Sequence, residues 1–79
     1  MNAASENKLR EIFVAILELN EKDEVSSARR IATVRWDSLA QTSLIAAIES
    51  EFGLTLDIAD MERISSFAAT RLLLEEKGL

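Results

Sequence analysis

The sequence predicts an all-α protein: a small antiparallel four-helix bundle, with three main helices, a short third one, and a long loop between helices one and two. Two runs of apolar residues recur at helical spacing, Leu9, Ile12, Phe13, Ile16, Leu17 and then Leu44, Ile48, Phe52. No stretch reads convincingly as a strand, and the chain has no proline to interrupt a helix. Cap and stop residues bracket the helical runs. Seventy-nine residues, 48% of them hydrophobic, suffice for one core, so residues 1–79 are read as a single domain. With no cysteine and no histidine, neither a disulfide nor the usual zinc ligands staple it, and stability is expected to be modest.

The first helix carries the strongest stripe. Ser5 is its expected N-cap, with Glu6 in the first turn and residues 1–4 frayed. Glu6–Arg10 and Glu18–Lys22 stand at i,i+4 in the favourable order, each pair contributing about 0.2–0.5 kcal/mol on an exposed helix. From Asn20 to Arg35 the apolar rhythm lapses, and Val25, Ile31 and Val34 remain as isolated anchors among polar residues and the basic Arg29, Arg30 and Arg35. Such a loop, with at most one helical turn, is long for a compact domain, and loops of that length are often functional.

Residues 36–52 are the stretch around which the rest is arranged. Ser38 stands three residues before Gln41, the spacing of a capping box, and no other Ser or Thr has Glu or Gln three residues on. Asp37 adds a carboxylate where the helix dipole favours negative charge. The helix is therefore expected to begin at or beside Ser38, with that hydroxyl near the surface, and to stop at Gly53 in a left-handed conformation. Leu54 and Leu56 alternate with Thr55 in a short extended linker. Asp57 or Asp60 is expected to cap a short helix with Ile58, Met61 and Ile64 at three-residue spacing. Ser65 or Ser66 caps the last helix, from Phe67 to about Lys77. Its inward face stays open between a Phe67–Leu74 stripe, which brings Thr70 and Arg71 with it, and a stripe of Ala68, Ala69, Leu72 and Leu73.

Charge is segregated. Residues 1–35 balance six acids against six bases, while residues 36–79 hold eight acids and three bases, which accounts for the net charge of −5. An acidic half argues against nucleic-acid partners, whose phosphates need basic groups. No apolar run reaches membrane-spanning length and no signal-peptide core is evident, so a cytoplasmic monomer without membrane insertion is expected. The absence of His and Cys removes histidine-dependent triads and any thiol of the chain's own, which disfavours a small enzyme.

Asp37-Ser38-Leu39 at the head of an amphipathic helix resembles the signature of the acyl carrier protein family. Context strengthens it: Glu49-Ser50-Glu51-Phe52, Gly53-Leu54-Thr55-Leu56 and Ile64-Ser65-Ser66-Phe67 follow without gaps, and the resemblance is good over residues 34–67. It implies that Ser38, between Asp37 and Leu39, carries covalent 4′-phosphopantetheine, transferred from coenzyme A by a phosphopantetheinyl transferase that uses Mg²⁺, with no metal held by the chain. The arm would present acyl thioesters to synthase, transferase or acyl-activating enzymes with basic docking patches. A docking face is expected around it from Trp36, Leu39, Gln41, Ser43, Glu49 and Met61, although Trp36 also reads as a buried anchor closing the loop. By the same analogy Leu44, Ile48, Leu56, Ile64 and Phe67 border an acyl pocket, with Met61 at its edge.

Several residues depart from the family pattern. Acids usual two and five residues after the serine are Ala40 and Ser43 here, Ser50 replaces another acid, and Arg35 stands where many members have glycine. Electrostatic complementarity mainly sets encounter rate and partner choice. The departures therefore imply a specialised carrier for a fatty-acid, polyketide or cell-surface lipid pathway. The competing readings are a peptidyl carrier loading an amino acid, and an unmodified helical docking module in which Ser38 is only a cap.

Overall fold

The computed structural model describes residues 1–19, 25, 28 and 35–79, and these form four helices and no extended strand. Helix α1 is Ala3–Leu17, α2 is Ser38–Phe52, α3 is Ile58–Glu62 and α4 is Phe67–Glu76. Order and number match the expectation, including the short third helix and the long connection between α1 and α2.

The α1 stripe packs as its spacing requires: Leu9, Phe13 and Leu17 are fully buried, with Ile12 and Ile16 half-buried beside them. Phe13 is the hub. Its ring meets Trp36 edge to face at 5.4 Å and Phe67 at 5.3 Å, joining α1 to the residue before the α2 cap and to the head of α4. Such edge-to-face contacts add about 0.5–1.5 kcal/mol each beyond area burial. Leu44 and Ile48 from α2, Leu56 from the linker, Ile64, and Leu73 and Leu74 from α4 complete the core, while Phe52 is only partly covered.

The start of α1 differs from expectation. Asn2, not Ser5, is the N-cap, its side chain accepting from Ser5 N at 2.8 Å, so residues 3 and 4 are helical. Asn is as good a cap as Ser, and capping three residues before Ser5 adds almost a turn to the helix. Glu6 reaches across to Arg71 of α4 at 2.7 Å, and Arg10 lies over the Phe67 ring at 4.8 Å. In the connection, Val25 and Ala28 are buried, Ala28 N donates to Val25 O, and Ala28 O accepts from Phe67 N. The anticipated anchors Ile31 and Val34, the basic Arg29 and Arg30, and Lys22 lie outside the described residues.

Ser66 caps α4 through Ala69 N, and the buried face is Phe67, Thr70, Leu73 and Leu74. It takes the first stripe and borrows Leu73 from the second, leaving Leu72 exposed. Thr70 can be fully buried because its hydroxyl donates to Ser66 O within the same helix at 2.7 Å. In α3, Asp57 and Asp60 form a reciprocal capping box. Ile58, the first residue of this five-residue helix, is 76% exposed, while Ile64 just beyond its end is buried.

Candidate functional site

The site is built where α1 ends and α2 begins. Glu18 terminates α1 in the left-handed region at φ 54°, its N–H donating to Val14 O. That backbone is uncommon for a non-glycine residue. From there its carboxylate is ion-paired with Arg35. Trp36 is buried at 3% exposure, its indole N–H donating to Gln41 Oε1 at 2.7 Å. Gln41 is itself buried and donates through Nε2 to Met61 O at 3.2 Å.

Asp37 is the N-cap of α2. Its backbone is extended at φ −94°, ψ −172°, and Oδ1 accepts from Ala40 N at 2.9 Å. Ser38 is consequently the first helical residue, and the capping box expected between Ser38 and Gln41 is not formed. Gln41 does not reach back because the buried indole and the Met61 carbonyl hold both ends of its amide. This frees the exposed Ser38 hydroxyl from capping. Asp37 satisfies Ala40 N, and Ser38 and Leu39 N–H have no carbonyl inside the helix to receive them. A phosphodiester at Ser38 would sit at the positive end of a 15-residue helix beside those donors, so the residues fit the anionic group the motif implies.

Of the other residues expected on a docking face, Leu39 is 75% exposed, and Ser43, Glu49 and Met61 are half-buried. Trp36 and Gln41 belong to the interior, where their mutual hydrogen bond serves the fold, and they offer no surface to a partner in this conformation. Glu49 is partly committed as well, its Oε2 accepting from Leu56 N at 2.8 Å. Exposed Ile58 at the head of α3 is a second large apolar side chain at the surface. The residues expected to border an acyl pocket between α2 and α3 are themselves tightly buried core. An open groove of about 530 Å³ lies instead between α1 and α2. Ile16 and Glu18 line it from the α1 side, and Asp37, Leu39, Ala40 and Ser43 from α2, with Arg35 closing the set.

A family model for the phosphopantetheine attachment site matches residues 7–71. The chain is 34% identical over 70 residues to an acyl carrier protein of Petrotoga mobilis, covering 89% of this chain and 82% of that one. It is 32% identical over 71 residues to an acyl carrier protein of Thermotoga maritima, covering 90% and 88%. No solved structure matches. Because one family model spans most of the bundle and both relatives align over nearly its full length, the chain belongs to the acyl carrier protein family, with covalent 4′-phosphopantetheine as its cofactor.

Proposed function

We propose that this chain, acting as one domain over residues 1–79, carries acyl groups as thioesters on a 4′-phosphopantetheine arm attached to Ser38. The observation that carries the reading is Asp37's occupation of the cap, which leaves an exposed serine hydroxyl at the positive tip of α2. The arm supplies the thiol that a chain without cysteine lacks. The chain is then a shuttle and a substrate of other enzymes rather than a catalyst: first of a phosphopantetheinyl transferase, then of acyl-activating, synthase or transferase enzymes in the cytoplasm. Exposed Leu39, with Ser43, Glu49 and Met61, is the face those enzymes would meet. With Ala40 buried and Ser43 uncharged at positions where many members carry acids, that face suits dedicated partners of a specialised lipid pathway.

Intact mass is the test. Incubation with coenzyme A, Mg²⁺ and a broad-specificity transferase should add one phosphopantetheine, and Ser38→Ala should abolish the addition while retaining the helical circular-dichroism spectrum. An unchanged mass of the folded chain, or labelling of another side chain, would refute attachment at Ser38.

A further inference from the structure

We infer that Arg35 is a specificity-determining residue for the enzymes that work at Ser38; this rests on attachment there. Paired with Glu18, it cancels the acid that the end of α1 brings beside the serine, and so selects against docking surfaces that are basic throughout. From Ser38 to Ile48, helix α2 carries no charged residue. Among the described residues, the charges that an enzyme meets here come from the groove between α1 and α2, which both neighbours of Ser38 line. It holds three: Glu18, Arg35 and Asp37. Asp37 already commits Oδ1 to Ala40 N as the cap. Glu18 and Arg35 stand in the same groove as Ala40 and the uncharged Ser43, so they supply the charge that this part of α2 lacks.

Their backbones are anchored. Glu18 ends α1 with its N–H bonded to Val14 O, and Arg35 directly precedes the buried Trp36. Their side chains are paired yet open to solvent, 61% exposed for Glu18 and 63% for Arg35. An ion pair so exposed contributes little to stability, whereas charges at the rim of an interface set encounter rate and partner choice. Two acids and one base leave one net negative charge along the groove. Without Arg35 there would be two, and without Glu18 none. A basic surface is therefore drawn to the serine more weakly than the acids alone would draw it, and a surface that also offers an acid to Arg35 is favoured.

The experiment uses the full chain with coenzyme A, Mg²⁺ and a broad-specificity transferase whose docking surface is basic, and reads kcat/KM of modification by intact mass. Arg35→Gly should raise kcat/KM about fivefold and Glu18→Gln should lower it about fivefold, the effect of one unit charge at contact distance in water. The double variant restores the net charge of the groove and should return close to the parent. Arg35→Lys keeps the cation and should match the parent too. All these differences should collapse in about 1 M salt, where the screening length falls to about 3 Å. Rates within about twofold across the set at low salt, differences that survive high salt, or a Lys variant that behaves like the Gly one would overturn the role of Arg35 and leave attachment standing. A parent chain that gains no phosphopantetheine would overturn attachment at Ser38, and the role of Arg35 with it.

Discussion

The indole nitrogen of Trp36 donates to Gln41 Oε1 at 2.7 Å, and the same amide donates onward to Met61 O at 3.2 Å. One buried side chain thus fastens the residue before the α2 cap to α3. Gln41→Met keeps the volume but leaves the indole N–H buried without an acceptor. An unsatisfied buried polar group costs about 1–3 kcal/mol, and that is the expected loss in urea unfolding followed by far-ultraviolet circular dichroism. Combining it with Trp36→Phe, which removes the orphaned donor, should recover part of the loss. Strict additivity of the two substitutions would show that the hydrogen bond is energetically idle.

Asp37 caps α2, and the proposed attachment at Ser38 would give its neighbour a separate task one residue away. Asp37→Ala removes the cap and should lower stability by about 0.5–2 kcal/mol, while a hydroxyl remains to accept phosphopantetheine. Ser38→Ala should do the reverse, abolishing modification and leaving the urea midpoint nearly unchanged, since alanine is a good first-turn residue. Equal destabilisation by both substitutions would mean that Ser38 also contributes to the cap.

The difference between Asp37 and Ser38 shows where the sequence stops being legible. Periodicity revealed Leu9, Phe13, Leu17, Leu44 and Ile48 as core, because burial on a helix repeats with the turn. Cap spacing could not say whether Asp37 or Ser38 takes the extended backbone, since both side chains can accept the same N–H groups. Nor could it show Gln41 turning inward, because one of its partners is a backbone carbonyl 20 residues away, brought near only by packing. The inward face of α4 was hidden for a related reason. Thr70 looks polar in sequence, and only its bond to Ser66 O makes it suitable for the core.

Glu49, on the proposed docking face, also has a structural partner. It accepts Leu56 N–H across the turn at Gly53, where its own carbonyl also receives Gly53 and Leu54 N–H. Glu49→Ala should therefore cost about 1–3 kcal/mol by orphaning a partly buried N–H. Glu49→Gln keeps an acceptor and discards only the charge, so its urea midpoint should stay close to that of the parent. A fall in partner-enzyme kcat/KM seen with the Gln variant then reports docking alone. An Ala variant as stable as the parent would remove the structural role.

The acid limb of the stability profile should come largely from the contact between α3 and the end of α4. The Lys77 ammonium, 2.7 Å from Asp60 Oδ2, holds the Asp60 carboxyl below its usual range, and the forked bond from Arg63 at 2.8 and 2.6 Å does the same for Glu76. The cations are raised by the same partners. A carboxyl depressed in the folded state leaves the unfolded chain binding more protons as pH falls. The stabilisation is thus complete above the ordinary carboxylate range and drains away as pH drops through it toward the depressed folded values. The cations' share is lost only when pH rises through their raised values, far on the alkaline side. Arg63→Met with Lys77→Met should lower the neutral-pH urea midpoint and leave the acidic one almost unmoved, so the neutral-to-acid difference shrinks. Because these groups are mostly partly exposed, added salt should narrow the same difference in the parent. A double variant that keeps the parent's full fall with acid would move the origin of that limb elsewhere in the fold.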